Sequence, residues 1–354
     1  MTMSILPVAV VGAAGYSGAE LVTMLASHPE VSVVGVYGSG SRAGDEALSS
    51  VHPRLRGVAD LPIEAADPSA IVASGAKAVF LCTPHEASEA LAPALLDAGL
   101  VVLDLSASFR LRDPGLYPAH YAFEHRHPEL LATAVYGLAE LRSGDLASAQ
   151  LIAVPGCYPT SVILPVRPLI DAELVLPRRV IVDSTSGVSG AGRTALVKSL
   201  FCEVSMQPYG VLSHRHQPEM AQETGADVLF TPHLGCWDRG ILSTIHLDLA
   251  PGATIHACRQ VLTERYASSA FVRVLPTGSW PSVAGVERTN FCDIGLGGCD
   301  RRNHLVIASA IDNLVKGAAG QALQCMNIRF GFPEAMGLGL SRHTSARTDC
   351  GALA

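Results

Sequence analysis

Val8-Ala-Val-Val11-Gly12-Ala-Ala-Gly15-Tyr-Ser-Gly18-Ala-Glu-Leu21 joins two patterns with a third between them. Four apolar residues read as the end of a buried strand, and the residues after Gly18 have helical composition. Glycines every third position let the backbone turn sharply and approach a pyrophosphate, whose charge the following helix N-terminus and its free N–H groups stabilise. GxxGxxG is a variant of the dinucleotide fingerprint. Lying between an N-terminal strand and a helix, it predicts a cofactor cradle at Gly12, Gly15, Tyr16, Ser17 and Gly18, with a plain tight turn as the bland alternative.

Beyond this stretch, short apolar runs at Ile5–Val11, Val31–Tyr37, Ala78–Cys82 and Leu100–Leu103 alternate with helical patterns at Ser17–Ser27 and Ala87–Ala98. That alternation predicts an α/β fold with a Rossmann-type, doubly wound parallel sheet. Later β-type runs, Val180–Asp183, Ile241–Asp248 and Phe271–Leu275, with a helix beginning near Pro218, predict a second, α+β domain. Asp312–Asn327 reads as a late helix returning to the first domain. The expected division is 1–156 with 312–340 for dinucleotide binding, 157–311 for the second domain, and 341–354 as a disordered tail.

Composition narrows the partners. The 354 residues carry a net charge of -7 with only three lysines, Lys77, Lys198 and Lys316, so no basic face for nucleic acid is expected. Hydrophobic residues make up 49%, enough for a packed core, and polar interruptions argue against a membrane span. Nine cysteines form an odd set without a CxxC pair, which argues against a disulfide framework and a zinc knuckle; no metal is expected. The first residues lack the charged flank and cleavage site of a signal peptide, so the cytoplasm is the expected compartment.

The choice of dinucleotide is read after the second strand. An acidic residue there would bind the ribose hydroxyls of NAD, but Gly38-Ser39-Gly40-Ser41-Arg42 follows Tyr37, and the first carboxylate is Asp45. Ser39, Ser41 and the Arg42 guanidinium suit a 2′-phosphate, so NADP(H) is the expected cofactor.

Val154-Pro-Gly-Cys157-Tyr-Pro-Thr-Ser161 puts Cys157 at the mouth of an apolar helix, where the helix terminus favours a thiolate. Pro159 fits a first helical turn. In Ser213-His214-Arg-His216-Gln-Pro-Glu219, a helix entry at Gln217 and Pro218 brings His216 and Glu219 close together. His216 suits proton transfer, and Glu219 either orients it or binds a substrate amide; His214 is the weaker candidate. Arg110, after a strand end, and Arg193, in the amide-rich loop Ser186–Arg193, are candidates for the substrate phosphate, with surface ion pairs as the alternative. NADP, a thiol and a proton-transfer histidine together suggest reduction of an acyl phosphate through a thioester.

Taken in order, Gly12–Leu21 (GAAGYSGAEL), Ala153–Ser161 (AVPGCYPTS), Thr185–Arg193 (TSGVSGAGR), Ser199–Val211 (SLFCEVSMQPYGV), Ser213–Met220 (SHRHQPEM), Phe230–Gly235 (FTPHLG) and Asp312–Gly331 (DNLVKGAAGQALQCMNIRFG) resemble the motifs of the N-acetyl-gamma-glutamyl-phosphate reductases of arginine biosynthesis. The likeness runs from about Ile5 to Gly337. It implies Cys157 as nucleophile and His216 as acid/base with Glu219 nearby. It also implies that Asn313 and the loop Ser189–Gly192, with Ser189 and Gly190, line the nicotinamide side, that the α+β domain serves substrate binding, catalysis and dimerisation, and that the chain forms a homo-oligomer, dimer or tetramer. Two other readings stay open: a reductase of carrier-bound aminoadipyl phosphate in lysine synthesis, and a non-catalytic NADP-sensing regulator. The regulator would not need Cys157 and His216 together. A cysteine hydrolase would leave the glycine cradle unexplained.

Overall fold

The computed structural model describes residues 5–38 and 46–339. Ser39, Ser41, Arg42 and the 341–354 segment lie outside the described residues.

The first sheet is parallel throughout. Its strands are β1 (Leu6–Val11), β2 (Val31–Gly38), β3 (Ile63–Ala65), β4 (Ala78–Leu81), β5 (Val101–Asp104), β6 (Val135–Tyr136) and β7 (Leu151–Ala153), in the order β3-β2-β1-β4-β5-β7-β6. β1, β4 and β5 read as continuous apolar runs because helices cover both faces of such a sheet. The order reverses at β1, whose neighbours are β2 and β4, so the crevice at its carboxyl end is the topological switch point where α/β sheets bind ligands. The glycine stretch begins there.

The second sheet is mixed. Its strands are β8 (Val180–Ser186), β9 (Gln207–Pro208), β10 (Val228–Leu234), β11 (Ile241–Asp248), β12 (Val272–Val274), β13 (Cys292–Cys299) and β14 (His304–Ile311), in the order β12-β13-β14-β11-β8-β10-β9. Along β8, β10 and β11 burial alternates with period two, as it does when only one face is covered. The cover is the Cys157–Asp171 helix, whose apolar side packs with Val182, Ile245 and Ile307. Buried hydroxyls stitch helix to sheet: Ser161 Oγ lies 2.7 Å from Ser243 Oγ, itself 2.6 Å from Ser184 Oγ.

Several strands escape the sequence reading, the short β3, β6, β7 and β9 as well as β10, β13 and β14, and in β13 the reason is physical. Gly295, Gly297 and Gly298 break the β-branched pattern, yet a Cβ at Gly295 would come within 2.7 Å of the Ser279 carbonyl, so another backbone takes the side chain's place. The late helix is not one regular piece: Val315–Ala319 forms a π-turn, followed by the α-helix Gly320–Arg329. Ala319, Ala322, Leu323, Cys325 and Met326 enter the same apolar core as Val8, Leu21 and Ile152.

Candidate active site

The cradle requires its glycines. Gly12 has φ +83°, and a Cβ there would lie 2.3 Å from the Cys82 carbonyl oxygen at the end of β4; a Cβ on Gly18 would lie 2.4 Å from Gly12 O. The Tyr16–Ala26 helix that follows has no side-chain cap and no acidic residue in its first turn. Its first N–H groups are thus left for an anion, and the bare backbone leaves room for one, so these residues fit a dinucleotide pyrophosphate.

Tyr16, Ser189, Arg193, Arg239 and Arg288 line one cleft of about 530 Å³. Asn313, buried, ties Gly240 to Ser189: its Oδ1 accepts from Gly240 N at 2.6 Å and its Nδ2 donates to Ser189 Oγ at 3.0 Å. Gly190 sits beside this pair, where a Cβ would lie 3.0 Å from Ser186 Oγ. Arg239 bridges the two halves, pairing with Asp312 (2.7 Å) and with Glu20 of the cradle helix (3.4 Å). Arg193, exposed on its loop, lines the same cleft as Tyr16 of the cradle.

A second group converges on Gly156. Its N–H donates to Glu219 Oε1 at 2.8 Å, and a Cβ in place of its hydrogen would lie 2.7 Å from His216 Nε2 and 3.0 Å from Arg110 Nη1. The next residue is Cys157, the first of the helix. Glu219 Oε1 also accepts from Tyr136 OH (2.8 Å), and its Oε2 faces Arg110 Nη1 at 3.4 Å. The carboxylate thus grips the backbone before Cys157, where the sequence suggested that it either orients His216 or binds a substrate amide. His216 Nδ1 has no partner and is buried.

Arg110 is more deeply engaged than a surface anion clamp. Its Nε donates to Val154 O and its Nη2 to Leu105 O, both at 2.8 Å, leaving Nη1 at the floor between Glu219 and Gly156. Tyr136 was missed by sequence reasoning because nothing local marks it. Arg215 was passed over between its histidines. It is exposed, its carbonyl accepts from Tyr121 OH at 3.0 Å, and among the described residues its guanidinium has no carboxylate partner.

Protonation departs from the simple helix-terminus picture. Burial pushes the Cys157 thiol above its ordinary pKa, and the Tyr158 N–H and the Arg110 and Arg215 guanidiniums recover only part of that shift. Burial, reinforced by His214, Arg215 and Arg110, pushes His216 well below the usual imidazole range. At rest Cys157 is thus a thiol and His216 a neutral imidazole. Burial and Arg215 push His214 down to about 4. The unfolded chain therefore binds protons below pH 6.5 that the folded chain refuses, and stability is expected to fall as pH drops from 6.5 towards 4. His214→Gln should flatten that slope in urea melts across this range; an unchanged slope would place the proton uptake elsewhere.

Among the described residues no helix is long and apolar enough to cross a membrane, and no group of three or more His, Cys, Asp or Glu side chains is placed to hold a metal ion.

Residues 7–149 match the model of the semialdehyde dehydrogenase NAD binding domain, and residues 157–313 that of the semialdehyde dehydrogenase dimerisation domain. The N-acetyl-gamma-glutamyl-phosphate reductase of Escherichia coli O157:H7 is 49% identical over 331 residues, covering 93% of this chain and 98% of that protein; the Yersinia pestis protein of the same name is 48% identical over the same shares. The aspartate semialdehyde dehydrogenase II of Vibrio cholerae, solved with ASA, superposes with a TM-score of 0.70 at 16% identity, covering 92% of this chain and 98% of that one. Aspartate semialdehyde dehydrogenase with NADP from Candida albicans gives 0.65 at 14% identity, over the same shares, a likeness of fold alone. With its Rossmann-type half, its mixed-sheet half and a cysteine at the junction, the chain belongs to the N-acetyl-gamma-glutamyl-phosphate reductase family of semialdehyde dehydrogenases.

Proposed function

We propose that this chain reduces N-acetyl-gamma-glutamyl phosphate to N-acetylglutamate 5-semialdehyde and phosphate, in arginine biosynthesis, with Cys157 as nucleophile and His216 as acid/base. The observation that carries the reading is the convergence of His216, Arg110 and Glu219 on Gly156, one residue before the thiol. His216 takes the Cys157 proton, the sulfur bonds to the acyl carbon, and the C–O bond to phosphate breaks. The phosphate leaves with the proton that His216 returns. Bound NADPH supplies the hydride that the thioester carbonyl accepts. Expulsion of the Cys157 thiolate then releases the aldehyde, and the thiolate takes up one proton from solvent to restore the resting thiol. Glu219 holds the Gly156 backbone through both halves of the cycle, and Arg110 places a positive charge beside the departing phosphate.

The cofactor reading assigns the pyrophosphate to Gly12, Gly15, Tyr16, Ser17 and Gly18 and the nicotinamide side to Ser189, Gly190 and Asn313. Arg193 lies on that side, so Arg110 is the stronger candidate for the substrate phosphate. Ser39, Ser41 and Arg42 stand as the selectors of NADP over NAD. The domains are 1–156 with 312–340, and 157–311, and the compartment is the cytoplasm. The chain acts as a dimer or tetramer; Ile181 on the uncovered face of the second sheet, 42% exposed, and Phe201, 95% exposed, supply apolar surface for a second copy. Relatives named for the acetylglutamyl substrate favour it over a carrier-bound aminoadipyl phosphate.

The deciding assay runs the reaction backwards, with NADP, phosphate and N-acetylglutamate semialdehyde, and follows NADPH. No phosphate-dependent NADPH formation would refute the reading. The free Arg215 guanidinium is assigned to the substrate's α-carboxylate, several bonds from the phosphate at Arg110. Arg215→Ala should raise KM for the semialdehyde by about 10–100-fold, the size of a charge-assisted contact, and leave KM for phosphate unchanged. A rise confined to phosphate would reassign it.

A further inference from the structure

Gly317 lies against Cys157. A Cβ there would come within 2.7 Å of Cys157 Cβ and 3.1 Å of its Cα, so only a glycine lets this turn press against the root of the thiol side chain. The turn is wound as a π-helix: Gly317 N donates to Asp312 O and Ala319 N to Leu314 O, both at 2.9 Å and both five residues apart. Such turns are rare and concentrate at functional sites. The Asp312 carboxylate secures its start by accepting from Leu314 N at 2.8 Å and Val315 N at 3.1 Å.

Lys316 secures its middle. The side chain is fully buried, and Nζ lies 2.5 Å from Glu140 Oε1, on the helix Ala139–Leu146, and 2.7 Å from Gln324 Oε1. Gln324 Nε2 closes the triangle by donating to the same Glu140 oxygen at 2.9 Å. Removing two charges from water is costly, and an apolar pair of similar volume often serves stability as well. An ion pair retained here fits a demand for one fixed geometry. The charges acting on the Cys157 thiol are those of Arg110, Arg215 and Glu219, and Lys316 is not among them. Its influence on Cys157 passes through the backbone of the turn.

We propose that Lys316, locked to Glu140, is a positioning residue that holds the 315–319 π-turn and so fixes Cys157 at the mouth of its helix, with Gly317 as the point of contact. This rests on the reading of Cys157 as nucleophile.

Two variants test it: Gly317→Ala, and Lys316→Met combined with Glu140→Leu, which leaves neither charge of the pair alone in the core. Each is followed by thermal melting, by kcat and KM in the reverse assay, and by the rate at which iodoacetamide alkylates the peptide containing Cys157. Both are expected to melt cooperatively, with kcat and the alkylation rate falling together by about tenfold or more, as for a misplaced reacting group, while KM for NADP and phosphate stays within about twofold. A folded variant that keeps the wild-type alkylation rate overturns the proposal, as does a loss carried by KM alone. Failure of both variants to fold also overturns it, since the turn would then be structural. The nucleophile reading fails separately, if wild-type protein gains no acyl group on Cys157.

Discussion

Cys157→Ser protein mixed with the acyl phosphate, without NADPH, is expected to gain no acyl group, whereas the wild type gains one, on the peptide containing Cys157. Serine preserves the shape at the helix mouth but is far less acidic than a thiol, and His216, already a weak base through burial, cannot make up the difference. The loss in kcat should reach about 10³-fold or more. Cofactor affinity should hold, because the cradle at Gly12–Gly18 is built against β4 and does not touch Cys157. Intact-mass and peptide mass spectrometry, with NADP titration alongside, check both statements. An adduct on another cysteine, or full turnover in the serine variant, would remove Cys157 from the mechanism.

His216→Asn should fail differently. The asparagine fills the space above Gly156 and offers no transferable proton, so turnover is expected to drop by about 10²–10⁴-fold while slow acylation of sulfur persists. The wild-type pH profile carries a second signature. With His216 held well below the ordinary imidazole range, it remains a competent base throughout the region above pH 6.5, and the acid limb of kcat/KM must lie below that value. An acid limb centred at or above 6.5 would mean that another group provides the base. The same limb should disappear in the asparagine variant.

The Rossmann half was legible because its signals are local. Gly12–Gly18 mark a strand-to-helix turn that only glycines can make, and β1, β4 and β5 are unbroken apolar runs. The start of the Cys157 helix was equally plain from Pro-Gly-Cys and Pro159. The thiol's raised pKa was not: a helix terminus is visible in sequence, but the protein packed around the sulfur is assembled from distant residues. The same limit hid the role of Glu219. Its spacing from His216 suggested an acid–base pair, whereas its partners, Gly156, Tyr136 and Arg110, lie 63 to 109 positions away. Gly317 and Lys316 stood inside a quoted motif, yet their meaning depends on Cys157 and Glu140, which no periodicity connects to them.

The helix Gly320–Arg329 completes the core of the first sheet from the far end of the polypeptide. During synthesis the strands around Val8 and Ile152 emerge long before Ala322, Leu323 and Met326, which must cover them. At about 5–20 residues per second, the ribosome needs roughly ten to thirty seconds to cover that interval. Throughout it, the nascent N-terminal half presents an apolar surface without its cover, a state in which a chaperone has something to hold. The second sheet, contained within 180–311, has no such wait, so the half made later can be the first to close.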